Sequence, residues 1–323
     1  MATIGAMTAS TLPPSGWRQQ ALLHWRMTRP AFLLVTVSAA LVGIASAASC
    51  GCGFDLPAAL ATVLLACVAH AGANVLNNDY HDARNGADAA NTEGLYPFTG
   101  GSRLIQQGQV SEADTRRWAA MLLLLLIPAG LLLAARNGGG GLLLVGAAGL
   151  LIAWAYSAPP LKLMSRGLGE LAIAAAWWLV VIGADYVQRG QFFLIPASLG
   201  FSVATLVACV LLINGVPDAA ADSRVGKRTL AVRLGARGAA ALYLWLVLLA
   251  HGWLALSVWL LIPPLTALWG LLSLPLSLAA AVLFWRHARQ PQRLRPAIGL
   301  TIAAANVHAL AIAIALALAA AAR

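Results

Sequence analysis

Three aspartates, several amides and a diglycine followed by serine and arginine fall together where an apolar run gives way to polar sequence. Asn74 to Arg103 reads NVLNNDYHDARNGADAANTEGLYPFTGGSR. If the helix of the preceding run continues through this stretch, Asn78 and Asp82 lie four residues apart and Asp79 and Asp82 three apart, on one face. Asp88 follows six residues later, past a helix end expected at Gly86. Alone, such acids read equally well as a solvated loop. A second stretch decides between the readings: in NGVPDAAADSRVGKRTLAVRLG, Asn214, Asp218 and Asp222 fall at i, i+4 and i+8 and form one helical stripe. The chain has only 11 acidic residues, and five of them are the aspartates of these two stretches. Carboxylate and amide oxygens gathered at the mouth of an apolar bundle make a hard donor set, which suits Mg²⁺ better than a transition metal, and Mg²⁺ suits a diphosphate. The candidate metal ligands are Asn78, Asp79, Asp82, Asp88, Asn214, Asp218 and Asp222.

The elements that hold these residues are membrane spans. Hydrophobic residues make up 60% of the 323 and charged residues 10%, against about 25% charged in ordinary soluble domains. The expected class is therefore an all-α integral membrane protein in contact with the lipid bilayer. Residues 1–29 are polar and basic, with a Ser/Thr/Pro-rich beginning expected to be disordered and a short amphipathic surface helix over Trp17 to Arg29. Residues 30–323 are expected to form a single transmembrane domain. Apolar runs near 31–49, 56–78, 117–135, 140–157, 168–188, 192–216, 238–262, 265–285 and 297–321 are each about the 20 residues needed to cross a bilayer. With the N-terminus cytoplasmic, all Lys and Arg residues except Arg136, Arg189 and Arg323 fall on the inside, as the positive-inside rule requires. That orientation predicts a multi-pass protein of the inner (cytoplasmic) membrane, with both aspartate stretches opening on the cytoplasmic face. The two stretches each close an even-numbered span and look like a weak repeat, and sites tend to lie between such repeats.

The net charge of +10 is spread among short loops, so it serves topology and not nucleic acid. Gly100, Gly101, Ser102 and Arg103 offer N–H groups and a guanidinium to phosphate oxygens, and Lys162 and Lys227 add cations on the same face. Cys50, Cys52, Cys67 and Cys209 show no zinc spacing and read as small packing residues. His70, His251 and His308 are apolar-flanked and read as satisfied core histidines, while Asp185 beside Arg189 reads as a hydrated interfacial acid. A diphosphate head held by metal and cations, with a long apolar tail in the bundle, describes a polyprenyl diphosphate. Metal-assisted departure of the diphosphate leaves a cation-like allylic carbon for a nucleophile to capture in a dry pocket.

These motifs resemble the two aspartate-rich signatures of the UbiA superfamily of intramembrane prenyltransferases over nearly the whole chain. NDYHDARNGAD, GGSR, YSAPPLKL, GLGE, DYVQRG and GKRTLAVRLG are similar to the branch that prenylates 1,4-dihydroxy-2-naphthoate in menaquinone synthesis. The resemblance implies a nine-helix bundle and Mg²⁺-dependent transfer of a polyprenyl group from its diphosphate to an aromatic acceptor, with loss of CO₂ in the naphthoate case. It implies catalytic roles for Asp79, Asp82, Asp218 and Asp222 and a place for Tyr156 near the reacting prenyl carbon. Asn78, Asn214, Ser102, Arg103, Lys162 and Lys227 would bind the diphosphate. The sequence departs from the branch at His81, and at Pro217, where an arginine often precedes the aspartate. Other acceptors (4-hydroxybenzoate, homogentisate, haem or a glycerol-phosphate lipid) remain alternatives within the superfamily. A polytopic transporter would share the spans but would place its polar residues near the midplane and not at one end.

Overall fold

The computed structural model describes residues 16–51, 54–92, 94–137 and 139–322. Among them, nine helices are long and apolar enough to cross a membrane: Pro30–Ser49, Leu56–Asn85, Glu112–Arg136, Gly140–Ser157, Gly169–Arg189, Leu194–Arg224, Leu230–Trp259, Leu265–His287 and Arg295–Ala321. They are numbered here as the first to ninth spans. No strand occurs among the described residues. The opening residues fall outside the described range, but a surface helix does form at Trp17–Met27, with Leu23 and Met27 buried and Trp17, Leu22 and Trp25 exposed. Local chemistry sets the span starts: Pro30 enters at the first turn, where a missing N–H costs least. Asp55 caps the second span by accepting from the Ala58 N–H at 3.0 Å, and Ser111 caps the third through the Asp114 N–H at 3.0 Å.

The second and sixth spans run past the ends of their apolar runs, to Asn85 and Arg224. These polar extensions carry the aspartates. In the second span the helix widens to a π turn over Val75–His81 before resuming at Asp82–Asn85, so the expected α-helical face shared by Asp79 and Asp82 is not formed. Gly86, at φ 83°, ends the helix as expected.

The first to sixth spans ring a cavity, and the sixth also joins the seventh to ninth around a filled core that includes Leu212, Tyr243, Phe284 and Ile298. The first and fifth spans cross very closely at Gly43, where an added Cβ would sit 2.1 Å from the Val181 carbonyl oxygen and 3.0 Å from the Asp185 backbone nitrogen. Backbone cannot swing aside as a side-chain tip can. Gly43→Leu is therefore expected to destabilise the bundle by about 1–3 kcal/mol or more, read as a lower melting temperature in detergent. A melting temperature unchanged by this substitution would contradict the crossing.

Asp185 is not hydrated: it is buried and paired with Arg189, whose guanidinium also lies 3.8 Å from the Phe193 ring centre. The low-dielectric surroundings favour this pairing over an isolated charge. The histidines are satisfied: His70 meets Thr36 at 2.7 Å, His251 meets Ser273 at 2.8 Å, and His308 meets Ser202 at 3.0 Å. Cys50 is disulfide-bonded, contrary to the packing role expected of it, and Cys52 lies outside the described residues. Cys67 and Cys209 are free thiols.

Candidate functional site

Both aspartate stretches meet at one end of the bundle, around the mouth of a cavity of about 550 Å³. Its rim is lined by Asp82 and Asp88 from the first stretch, by Asn214, Asp218 and Asp222 from the second, and by Lys227. The helical stripe supplies the second group directly, because the sixth span stays helical through Arg224 despite Pro217. The first group is assembled differently. Asp79 is buried and does not line the cavity, with its Oδ1 accepting from the Ser102 N–H at 2.7 Å. Asp82 faces the sixth span and receives the Lys227 ammonium at 2.9 and 3.1 Å.

The loop between the second and third spans folds back as a lid on this end. Gly100 and Gly101 adopt φ of 79° and 66°, which lets their backbone run against the acids. A Cβ on Gly101 would lie 2.9 Å from Asp88 Oδ2 and 3.0 Å from the Asn78 carbonyl. The Gly100 and Ser102 N–H groups, expected to face phosphate, are taken by carboxylates. They orient carboxylates: Ser102 donates to Asp79, and Gly100 donates to Asp218 Oδ2 at 3.3 Å.

Asn78 donates to Asn74 Oδ1 at 2.6 Å and lines the cavity. The side chain of Arg103 turns from the cavity and donates to the Asn91 carbonyl at 2.5 Å. Lys162 is exposed on the loop after the fourth span and does not line the cavity. Tyr156 is buried in the cavity wall, its hydroxyl 3.2 Å from Met164 Sδ.

Two cavity residues escaped the sequence reading. Arg29, at φ 49° before the first span, lines the cavity and clamps the loop by donating to the carbonyls of Pro97 at 2.6 Å and Phe98 at 2.8 Å. Asn91 is buried and donates to Asp218 Oδ1 at 2.6 Å. The only signal for Arg29 was its place immediately before a span-opening proline, and Asn91 had none.

Electrostatically the rim is acid-rich. Burial, with Asp82 and Asp79 adding to it, pushes the Asp88 carboxyl up to about 8. Burial pulls the Arg29 guanidinium below its ordinary value against the opposing pull of Asp79 and Asp218. Burial acts the same way on Lys227, yet Asp82 and Asp222 outweigh it and hold the ammonium above its usual range. Several buried oxygens lack a partner, among them Asn214 Oδ1, Asp79 Oδ2 and Asn77 Oδ1. Orphaned oxygens beside carboxylates fit a hard cation. Among the described residues no three acidic, His or Cys side chains converge closely enough to chelate one ion, so a cation here needs further oxygens from a ligand.

Below the rim the cavity is apolar and runs the depth of the bundle, past Trp177 and Ile127 to Leu133, Leu142 and Val187 near the opposite end. A ring of acids above a lipid-sized apolar channel suits an intramembrane enzyme for amphiphilic substrates. The chain belongs to the UbiA prenyltransferase family, whose model matches residues 33–303, and it is a multi-pass membrane prenyltransferase. It is 29% identical to the 1,4-dihydroxy-2-naphthoate octaprenyltransferase of Escherichia coli over 89% of this chain and 92% of that one. With the enzyme of the same name from Bacillus subtilis it shares 26% identity over 74% of this chain and 76% of the other. Among solved structures, a UbiA homolog from Archaeoglobus fulgidus bound to GPP and Mg²⁺ superposes with a TM-score of 0.61 at 17% identity, covering 90% of this chain and 99% of that one. A digeranylgeranylglyceryl phosphate synthase superposes at 0.59 and 16%, covering 93% and 99%.

Proposed function

We infer that this protein transfers a polyprenyl group from its diphosphate to 1,4-dihydroxy-2-naphthoate, giving demethylmenaquinol (the hydroquinone of demethylmenaquinone), CO₂ and diphosphate, with Mg²⁺ as cofactor. The observation that carries the reading is the meeting of two acidic motifs from different spans at the mouth of an apolar channel. The E. coli and B. subtilis relatives named for this reaction support the choice of acceptor. The Mg²⁺ named with the A. fulgidus homolog supports the choice of metal.

Asp82, Asp88, Asp218 and Asp222 would hold the metal with the Asn214 amide oxygen, and diphosphate oxygens would complete its coordination. When bound, Mg²⁺ neutralises the diphosphate and makes it a better leaving group. The chain's own residues do the rest. Lys227 and Arg29 place positive charge on the rim, Gly100 fixes the Asp218 carboxylate that faces it, and Ser102 fixes Asp79 behind it. The apolar wall excludes water from the allylic carbon as its bond to the diphosphate breaks. Tyr156, in the cavity wall, would supply a π-system near the reacting end, which favours a developing cation. The new bond forms to the acceptor carbon that bears the carboxylate, and that carboxylate leaves as CO₂, returning the bonding pair to the ring. In this reading the site opens to the cytoplasmic side of the inner membrane.

An acceptor panel tests the assignment. Detergent-purified protein with Mg²⁺ and prenyl diphosphates of several lengths is offered dihydroxynaphthoate, 4-hydroxybenzoate and homogentisate, and products are read by mass spectrometry. Prenylated product with loss of CO₂ from the naphthoate alone is expected. Product from a different acceptor would discard the pathway and keep the mechanism.

A further inference from the structure

Lys227 does more than add charge to the rim. Its Nζ lies 2.9 and 3.1 Å from the two oxygens of Asp82 and 3.1 Å from Asp222 Oδ1. Asp82 ends the second span and Asp222 closes the sixth, so one ammonium ties the two acidic motifs together. All three side chains are largely shielded from solvent, with exposures of 9% for Lys227, 16% for Asp82 and 5% for Asp222. At such separations and in such surroundings, two carboxylates repel strongly unless a cation stands between them. Asp88 and Asp218 face the same space and add to that repulsion. Lys227 is reached through the turn Val225–Gly226, where Gly226 has φ 75°. The Lys227 N–H bonds the Asp222 carbonyl at 2.9 Å, which fixes the stem of the side chain over its partners.

A divalent cation that uses Asp82 and Asp222 must take the same lone pairs that Lys227 holds, and two cations do not share them. We propose that Lys227 is an exchangeable internal counter-cation: it holds Asp82 and Asp222 together, yields them to the metal only when a diphosphate arrives, and then pairs with that diphosphate. The proposal rests on the metal–diphosphate reading above. It has a direct thermodynamic consequence. Metal alone binds weakly, because it must strand a buried ammonium, whereas metal and diphosphate together bind well, because the ammonium gains a new anion. Each ligand therefore raises the affinity of the other. The device keeps the acidic rim from being loaded by metal before a substrate is present.

The test uses Mn²⁺ as the probe metal, followed by its electron paramagnetic resonance on full-length protein in detergent, with no acceptor and no turnover. Lys227→Met is expected to bind Mn²⁺ alone at least about tenfold more tightly than wild type, within the usual span of coupling between two ligands. Lys227→Arg, which keeps the charge, is expected to behave as wild type. Equal Mn²⁺ affinity in wild type and Lys227→Met would overturn the proposal. A second measurement needs no variant: the rise in melting temperature of wild type with Mg²⁺ and inorganic diphosphate together is expected to exceed the sum of the two separate rises. A simple sum would equally overturn it. Mn²⁺ binding to neither protein would remove the metal reading and this one with it. Tighter Mn²⁺ binding in the variant, alongside a failed acceptor panel, would keep the exchange and reject only the acceptor.

Discussion

Asp82→Asn is expected to lower kcat/KM for prenyl transfer by about a hundredfold or more, while the protein remains folded. The substitution removes one unit of negative charge from the rim and leaves Lys227 its second partner, Asp222, at 3.1 Å. An amide at 82 still offers one oxygen to the Lys227 ammonium, which Asp82 meets with both of its own. Asp218→Asn is expected to lose as much activity but also some stability. Asp218 receives donors on both oxygens, Asn91 Nδ2 at 2.6 Å and the Gly100 N–H at 3.3 Å. An amide NH₂ there would face one of those donors and leave it without an acceptor. Activity assays paired with melting curves in detergent separate the two cases. Most of the activity surviving Asp82→Asn would remove this carboxylate from the metal site.

The same two aspartates show what could be read in the sequence. The second motif was legible because the sixth span is an uninterrupted helix from Leu194 to Arg224, so a period of 3.6 residues carries Asn214, Asp218 and Asp222 onto one stripe. The first motif was legible as a composition and not as a geometry. A π turn of seven residues has no periodic signature of its own, and it turns Asp79 toward Ser102 and Asp82 toward Lys227. Where the helix would end could be read, since Gly86 supplies the left-handed residue that a helix end prefers.

Counting Lys and Arg by loop agreed with the spans read from the apolar runs but could not sort the cations within a loop. Arg29 and Arg103 both counted as topology signals, yet Arg29 reaches the cavity and Arg103 is bound to the Asn91 carbonyl. That difference depends on how the loop after the second span folds back. Contacts such as Arg29 to Pro97 and Asn91 to Asp218 join residues far apart in the chain. Neither local propensity nor periodicity encodes them.

Gly149→Phe and Gly130→Phe are expected to change which donor the enzyme accepts. Both glycines line the apolar channel, one on the fourth span and one on the third, and a Cβ added at either meets no atom within 4 Å. The added ring would therefore enter the channel and not a neighbouring helix, so the melting temperature should hold. The third and fourth spans pack sparsely against each other, which leaves the channel wall thin at this seam and the ring free to stay. Displacing a single five-carbon isoprene unit from apolar surroundings forfeits about 0.8 kcal/mol per carbon, roughly a thousandfold in binding if the whole unit is displaced and about a hundredfold if two thirds of it is. A tail of eight units must pass this point and a tail of two stops short of it. The ratio of kcat/KM for octaprenyl over geranyl diphosphate should accordingly fall by about two orders of magnitude, with the geranyl value close to wild type. The fall should appear in KM more than in kcat, because the diphosphate and the rim carboxylates are untouched. If both donors lost activity equally, the ring would be disturbing the rim, and the tail would have to take another route through the bundle.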